Sequence, residues 1–171
     1  MATQIDLLKI GQRLMKLRRY ELRLARRNPY DKGNAKKYLV RAYLTQVDII
    51  RLCSGSRARA KSSVDAWFCD NPFGKSEGSG PKTATGRSKV LFASILAATS
   101  RAPRRLQSRW SRAFFYIDWE HGGDLSKPKL EWVLEDQGGL RKLATYAAQT
   151  MPGQRRSSKS RRRSSGAGNE G

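Results

Sequence analysis

Apolar residues recur at helical spacing from the start of the chain. Leu7, Ile10, Leu14, Leu17 and Leu24 fall on one heptad stripe, with Glu21 where a further apolar residue belongs. This pattern predicts an amphipathic helix over residues 5–27 with a short coiled-coil seam, so these five side chains are the candidate oligomerisation surface. Lys9, Arg13, Lys16, Arg23 and Arg27 are spaced by three, four or seven, which sets them along a neighbouring stripe of the same helix. Arg19 and Arg26 widen that basic surface.

The pattern breaks at Asn28-Pro29-Tyr30, where proline removes an amide donor and disfavours helical geometry in the residue before it. Gly33-Asn34 predicts a completed turn. A second periodic stretch over residues 35–53 places Leu39 or Val40, Tyr43, Val47 and Ile50 on one side. Residues 1–53 therefore read as a basic helical hairpin.

Residues 54–89 are polar, basic and rich in glycine and serine, with one apolar turn at Val64, Trp67 and Phe68. They read as a linker between two halves. Residues 90–100 are apolar all round and too few to cross a bilayer, which predicts a buried helix. After Pro103 a further helix carries Leu106, Trp110, Ala113, Phe114 and Ile117 on its apolar side and Arg101, Arg104, Arg105, Arg109 and Arg112 on or before the opposite one. Gly122-Gly123 ends it, Ser126 and Pro128 start another that buries Leu130, Val133 and Leu134, and a last short helix turns Leu143 and Tyr146 inward. Residues 90–150 form a small helical module in this reading. Residues 151–171 contain nothing able to pack and are expected to be a disordered basic tail. The fold class is all-α.

Charge narrows the partners. In 171 residues, 35 Lys and Arg stand against 14 Asp and Glu, a formal net charge of +21. A protein this basic repels itself when compact unless a polyanion relieves it, so nucleic acid or an anionic membrane surface is implied. The N-terminal helix is basic and amphipathic enough to lie in such an interface, though it is serine-poor and contains Asp6 and Glu21, unlike a mitochondrial presequence. Two cysteines, Cys53 and Cys69, and the single His121 fall short of a structural zinc set. No metal or cofactor is expected, and the thiols read as reduced and intracellular.

Catalytic motifs are weak. CDNPFGKS, residues 69–76, has a Gly-Lys-Ser end, but Cys69 stands where a phosphate loop needs its first glycine and Pro72 interrupts the loop. His121 lies among Asp118, Glu120 and Asp124 without a nucleophile in evident reach. The chain is read as having no enzymatic activity.

The basic elements carry the functional expectation. Phosphate contacts are assigned to Lys9, Arg13, Lys16, Arg19, Arg23, Arg26, Arg27, Arg101, Arg104, Arg105, Arg109 and Arg112. In the tail, Arg155, Arg156, Lys159, Arg161, Arg162 and Arg163 suit nonspecific RNA contacts and importin recognition. Ser158 and Ser164 each follow an Arg-Arg pair at basophilic-kinase spacing, and phosphate there would weaken RNA binding by adding negative charge.

Asn28-Pro29-Tyr30, Gly33-Asn34 and Lys36, followed much later by Gly122-Gly123-Asp124-Leu125-Ser126-Lys127, resemble in order the delta antigen of deltavirus-like agents. The resemblance covers about half the chain. It implies an antiparallel coiled-coil dimer that assembles further, nuclear import, and binding to a self-paired viral RNA. The combined expectation is a self-assembling viral RNA-binding protein of a ribonucleoprotein, located in the host nucleus, with the cytoplasm or the virion as the alternative location. Two alternatives stay open: a small capsid or nucleocapsid protein with a genome-binding tail, and an accessory protein that binds double-stranded RNA or a host factor.

Overall fold

The computed structural model describes residues 4–25, 32–71, 90–136 and 139–150. Every regular element among them is an α-helix. In chain order these are α1 (Gln4–Ala25), α2 (Lys32–Leu52), α3 (Arg57–Asp70), α4 (Leu91–Thr99), α5 (Arg104–His121), α6 (Lys127–Asp136) and α7 (Leu140–Thr150). Helices α1 and α2 pack as the expected hairpin. Its connecting residues 26–31, including Asn28-Pro29-Tyr30, lie outside the described residues. Gly33 and Asn34 sit in the first turn of α2 rather than in the turn before it.

The heptad stripe of α1 does not face outward. Ile10, Leu14 and Leu17 are fully buried in the chain's own core, Leu24 packs against that core, and Leu7 alone is substantially exposed, at 36%. The sequence pattern identifies a buried stripe without identifying what covers it. The cover here is α2 together with α3 and α4. A seam open to a second copy is thus replaced by an internal interface.

Helix α4 is the pin of the assembly. It is apolar on all sides, and Leu91, Phe92, Ile95, Leu96 and Ala98 are all buried. α1, α2, α3 and α5 each pack against it. Phe92 stacks on Phe114 of α5 at 4.5 Å between ring centroids, and Tyr43 of α2 meets the same Phe114 at 5.7 Å. Burying side chains of this size contributes roughly 1.5–3 kcal/mol each. The hairpin and residues 91–121 consequently share one core, where two halves were expected.

Residues 57–70, within the span read as linker, form α3. Ser56 caps it by accepting from the Arg59 amide at 3.3 Å, and Ala60, Ser63, Val64 and Phe68 are buried. The polar composition concealed this because α3 has only a narrow apolar side. Residues 72–89 lie outside the described residues.

The C-terminal helices follow the predicted punctuation. Gly122, left-handed at φ 76°, caps α5, and the Ser126 carbonyl receives the Leu130 amide at the start of α6. Leu130, Val133, Leu134 and Leu143 are buried as expected. Tyr146 is not: it is 41% exposed, because Ala144 and Ala147 rather than the tyrosine make the close approach of α7 to α5.

Candidate nucleic-acid interface

Helix α1 has an outer face that follows from the burial of its inner one. With Ile10, Leu14, Leu17 and Glu21 turned inward, Lys9, Gln12, Lys16, Arg19 and Arg23, spaced by three or four, line the opposite side, and all five are exposed. Among the described residues no carboxylate stands within ion-pair distance of Lys9, Lys16, Arg19 or Arg23. Four cations thus form an uninterrupted ridge about four turns long. Arg23 and Arg41 lie 5.9 Å and 4.5 Å from the Tyr20 ring, which draws Arg41 of α2 to the edge of the ridge.

The other edge is apolar. Leu7, Leu8, Gly11 and Met15 line a cleft of about 440 Å³ with Trp67 of α3, and Lys16 and Arg19 form its rim. Gly11 is required here: a Cβ would come within 2.6 Å of Trp67 Nε1, so only glycine lets the indole rest on α1. On its inner side Trp67 is stacked by Arg18, whose guanidinium lies 4.5 Å from the ring.

Arg18 and Glu21 are the buried charges of α1. The Arg18 Nε donates to the Ala98 carbonyl at 2.6 Å, and another guanidinium nitrogen donates to the Asn71 carbonyl. These oxygens belong to the ends of α4 and α3, where helix dipoles concentrate negative charge. Burial pulls the Arg18 pKa down to about 10, which still leaves it charged at neutral pH. Glu21 accepts from the Arg101 amide at 3.0 Å. That bond holds the α4–α5 connection against the last turns of α1, and Gln107 clamps it from the other side through the Ser100 and Ala102 carbonyls at 3.2 and 2.9 Å. Exposed Arg101 is thereby held beside the C-terminal end of α1, and Arg104 and Arg105, also exposed, open α5 just after it. Arg109 and Arg112 are half-buried along α5, Arg112 donating to the Ser108 carbonyl at 3.3 Å.

Elsewhere several cations are matched by carboxylates. Lys36 pairs with Glu135, Arg51 with Asp124 at 3.1 Å, Arg57 with Asp118 at 2.8 Å, and Lys61 with Asp65. Arg13, assigned to phosphate from its spacing, belongs to this group: it meets Asp48 of α2 at 2.6 Å. Its position on the flank of α1 that faces α2 decides this. Arg26, Arg27, the tail residues 155–163, Ser158 and Ser164 lie outside the described residues.

One polar cluster is internal. The Asp118 side chain, only 8% exposed, receives Arg57 and the Gln46 amide at 3.0 Å beside the Tyr43 hydroxyl, which in turn receives the Leu125 amide at 3.4 Å. Burial, and after it the Asp118 charge, pushes the Tyr43 hydroxyl well above the ordinary tyrosine range. The cluster ties α2, α3 and α5 together. It also fixes Gly123, left-handed at φ 80°, where a Cβ would come within 1.9 Å of the Arg57 guanidinium. Neither Asp118 nor Arg57 could be assigned this role from the sequence, since they are 61 residues apart. Glu21 did leave a signal, as a charge at a heptad position.

Among the described residues no cluster of three or more His, Cys, Asp or Glu side chains could hold a metal ion, and no helix is long and apolar enough to cross a membrane. Cys53 is buried and Cys69 exposed, both as thiols. His121 lies 3.8 Å from the Glu120 carboxylate. No protein-family model, curated protein or solved structure matches this chain.

Proposed function

We propose that this protein binds RNA, chiefly through its phosphates, along the α1 ridge and the arginine-bearing start of α5, as a non-enzymatic component of a ribonucleoprotein. The observation that carries the reading is the partition of charge. Carboxylates pair with Lys36 and Arg51 of α2 and with Arg57 and Lys61 of α3, while Lys9, Lys16, Arg19 and Arg23 share one exposed face with no carboxylate partner among the described residues. Cations on such a face take the place of the counterions condensed on a nucleic acid, and release of those counterions supplies the binding free energy. Apolar rims at Tyr20 and at the Trp67 cleft suit the sugar and base surface beside a phosphate track. The tail residues 155–163 add phosphate contacts at high effective concentration and supply the nuclear-import signal in this reading. The viral ribonucleoprotein role is the one implied by the resemblance to delta antigen. Assembly through the α1 heptad stripe is not part of the proposal, because Ile10, Leu14 and Leu17 lie in the core.

The test is the salt dependence of affinity for RNA, followed by fluorescence anisotropy. Six or more phosphate contacts lower affinity by about a thousandfold or more between about 50 and 200 mM salt. An unchanged Kd over that range, or binding to anionic vesicles but not to RNA, would overturn the proposal.

A further inference from the structure

Helix α5 carries a second stripe whose chemistry changes along its length. Arg105, Arg109, Arg112, Tyr116 and Trp119 are spaced by four, three, four and three, so they fall on one line of the helix surface, running from guanidinium groups into aromatic rings. The aromatic end is open to solvent. Trp119 is 63% exposed, and Tyr146 of α7, 41% exposed, extends the patch sideways. Ring centroids lie 5.9 Å apart for Tyr116 and Trp119 and 6.3 Å apart for Tyr116 and Tyr146. Burial, and after it the neighbouring Glu120 carboxylate, raises the Tyr116 hydroxyl above the ordinary tyrosine range.

Trp119 and Tyr146, left at the surface on either side of the half-buried Tyr116 in a chain that buries Trp110 and Phe114, are not explained by core packing. The neighbouring arginines say what it fits. Aromatic faces in line with a row of guanidinium groups match a ligand that alternates anions with flat apolar rings, which is a single-stranded nucleic acid. A duplex fits poorly, since its bases already stack on one another and do not offer their faces.

We infer that Tyr116, Trp119 and Tyr146 form a stacking platform for unpaired bases, with Arg105, Arg109 and Arg112 holding the phosphates that lead to it. This rests on the RNA-binding reading and deepens it: the α1 ridge takes phosphates of either RNA form, and the α5–α7 platform selects unpaired RNA.

The experiment uses the full chain with the double substitution Trp119→Ala and Tyr146→Ala, and two probes of equal length, a uridine homopolymer and a fully paired RNA duplex, at one salt concentration. Loss of stacking lowers affinity for the homopolymer by about tenfold and leaves the duplex affinity within about twofold. The slope of log affinity against log salt stays as in the wild type, because no phosphate contact is removed. Equal affinities of variant and wild type for the homopolymer would overturn the platform while leaving phosphate binding intact. Wild-type protein that binds neither probe would overturn both readings. Tryptophan fluorescence gives a measurement free of folding effects in the variant: wild-type emission is quenched by the homopolymer and not by the duplex, and identical responses to the two would again defeat the platform.

Discussion

The inner and outer faces of α1 are built from the same few residue types and do opposite things. Arg18 and Arg19 are adjacent, yet Arg18 is 7% exposed, stacked on Trp67 and bonded to two carbonyl ends, whereas Arg19 stands on the rim of an open cleft. Glu21 holds the Arg101 amide, and Arg23, one turn away from Arg19, is exposed. A charge count is therefore a poor measure of available charge. What the comparison teaches is that cations inside the fold serve as clips for helix ends, and only those on the far side of the helix remain for a polyanion.

The largest effect tests the inner face. Leu14→Glu places a carboxylate where the native side chain is wholly buried and should cost about 5 kcal/mol, enough to abolish the cooperative melt seen by circular dichroism. If the stripe were an exposed dimer seam instead, this variant would melt like the wild type and change only mass by light scattering. Arg18→Met strands the carbonyl ends of α3 and α4, with an expected loss of about 2 kcal/mol in urea unfolding.

The inner region also sets an alkaline limit. The Tyr43 hydroxyl is raised above the unfolded value of 10.0, so both states hold the proton below that pH and stability is intact there. Above it the unfolded chain releases its proton first, and stability falls by about 1.4 kcal/mol per pH unit until the folded-state pKa is reached. Tyr43→Phe should remove that share of the alkaline loss in urea melts repeated at rising pH. Replacing Lys9, Lys16, Arg19 and Arg23 together by Gln works on the outer face alone. Melting should hold, while the slope of log RNA affinity against log salt shrinks by about 3. Smallest is Arg19→Met, which should move stability by no more than about 0.5 kcal/mol. Equal losses of stability in Arg18→Met and Arg19→Met would erase the contrast between the faces.

Much of the fold was legible where the apolar period was strong. Residues 91–99 and 104–121 were readable because continuous or stripe-like burial leaves a long signal, and Gly122, Ser126 and Pro128 marked where helices stop and start. Helix α3 was not, since its buried set of Ala60, Ser63, Val64 and Phe68 is half small or polar. Of the candidate interface, the α1 ridge was readable from spacing. Arg13 was not separable from it, because its partner Asp48 is 35 residues away and only the hairpin brings them together.

By itself, the sequence determined the local terms: helical period, the proline and glycine stops, and a charge excess that no internal pairing could cancel, with 35 basic against 14 acidic residues. These depend on neighbours within a turn or two, so they are written along the chain. The tertiary structure alone decided which apolar stripe met which, and it turned the α1 heptads from a seam between molecules into a wall of one core. It also chose which cations were matched. Burial and ion pairing depend on contacts between residues tens of positions apart, and composition carries no record of those distances.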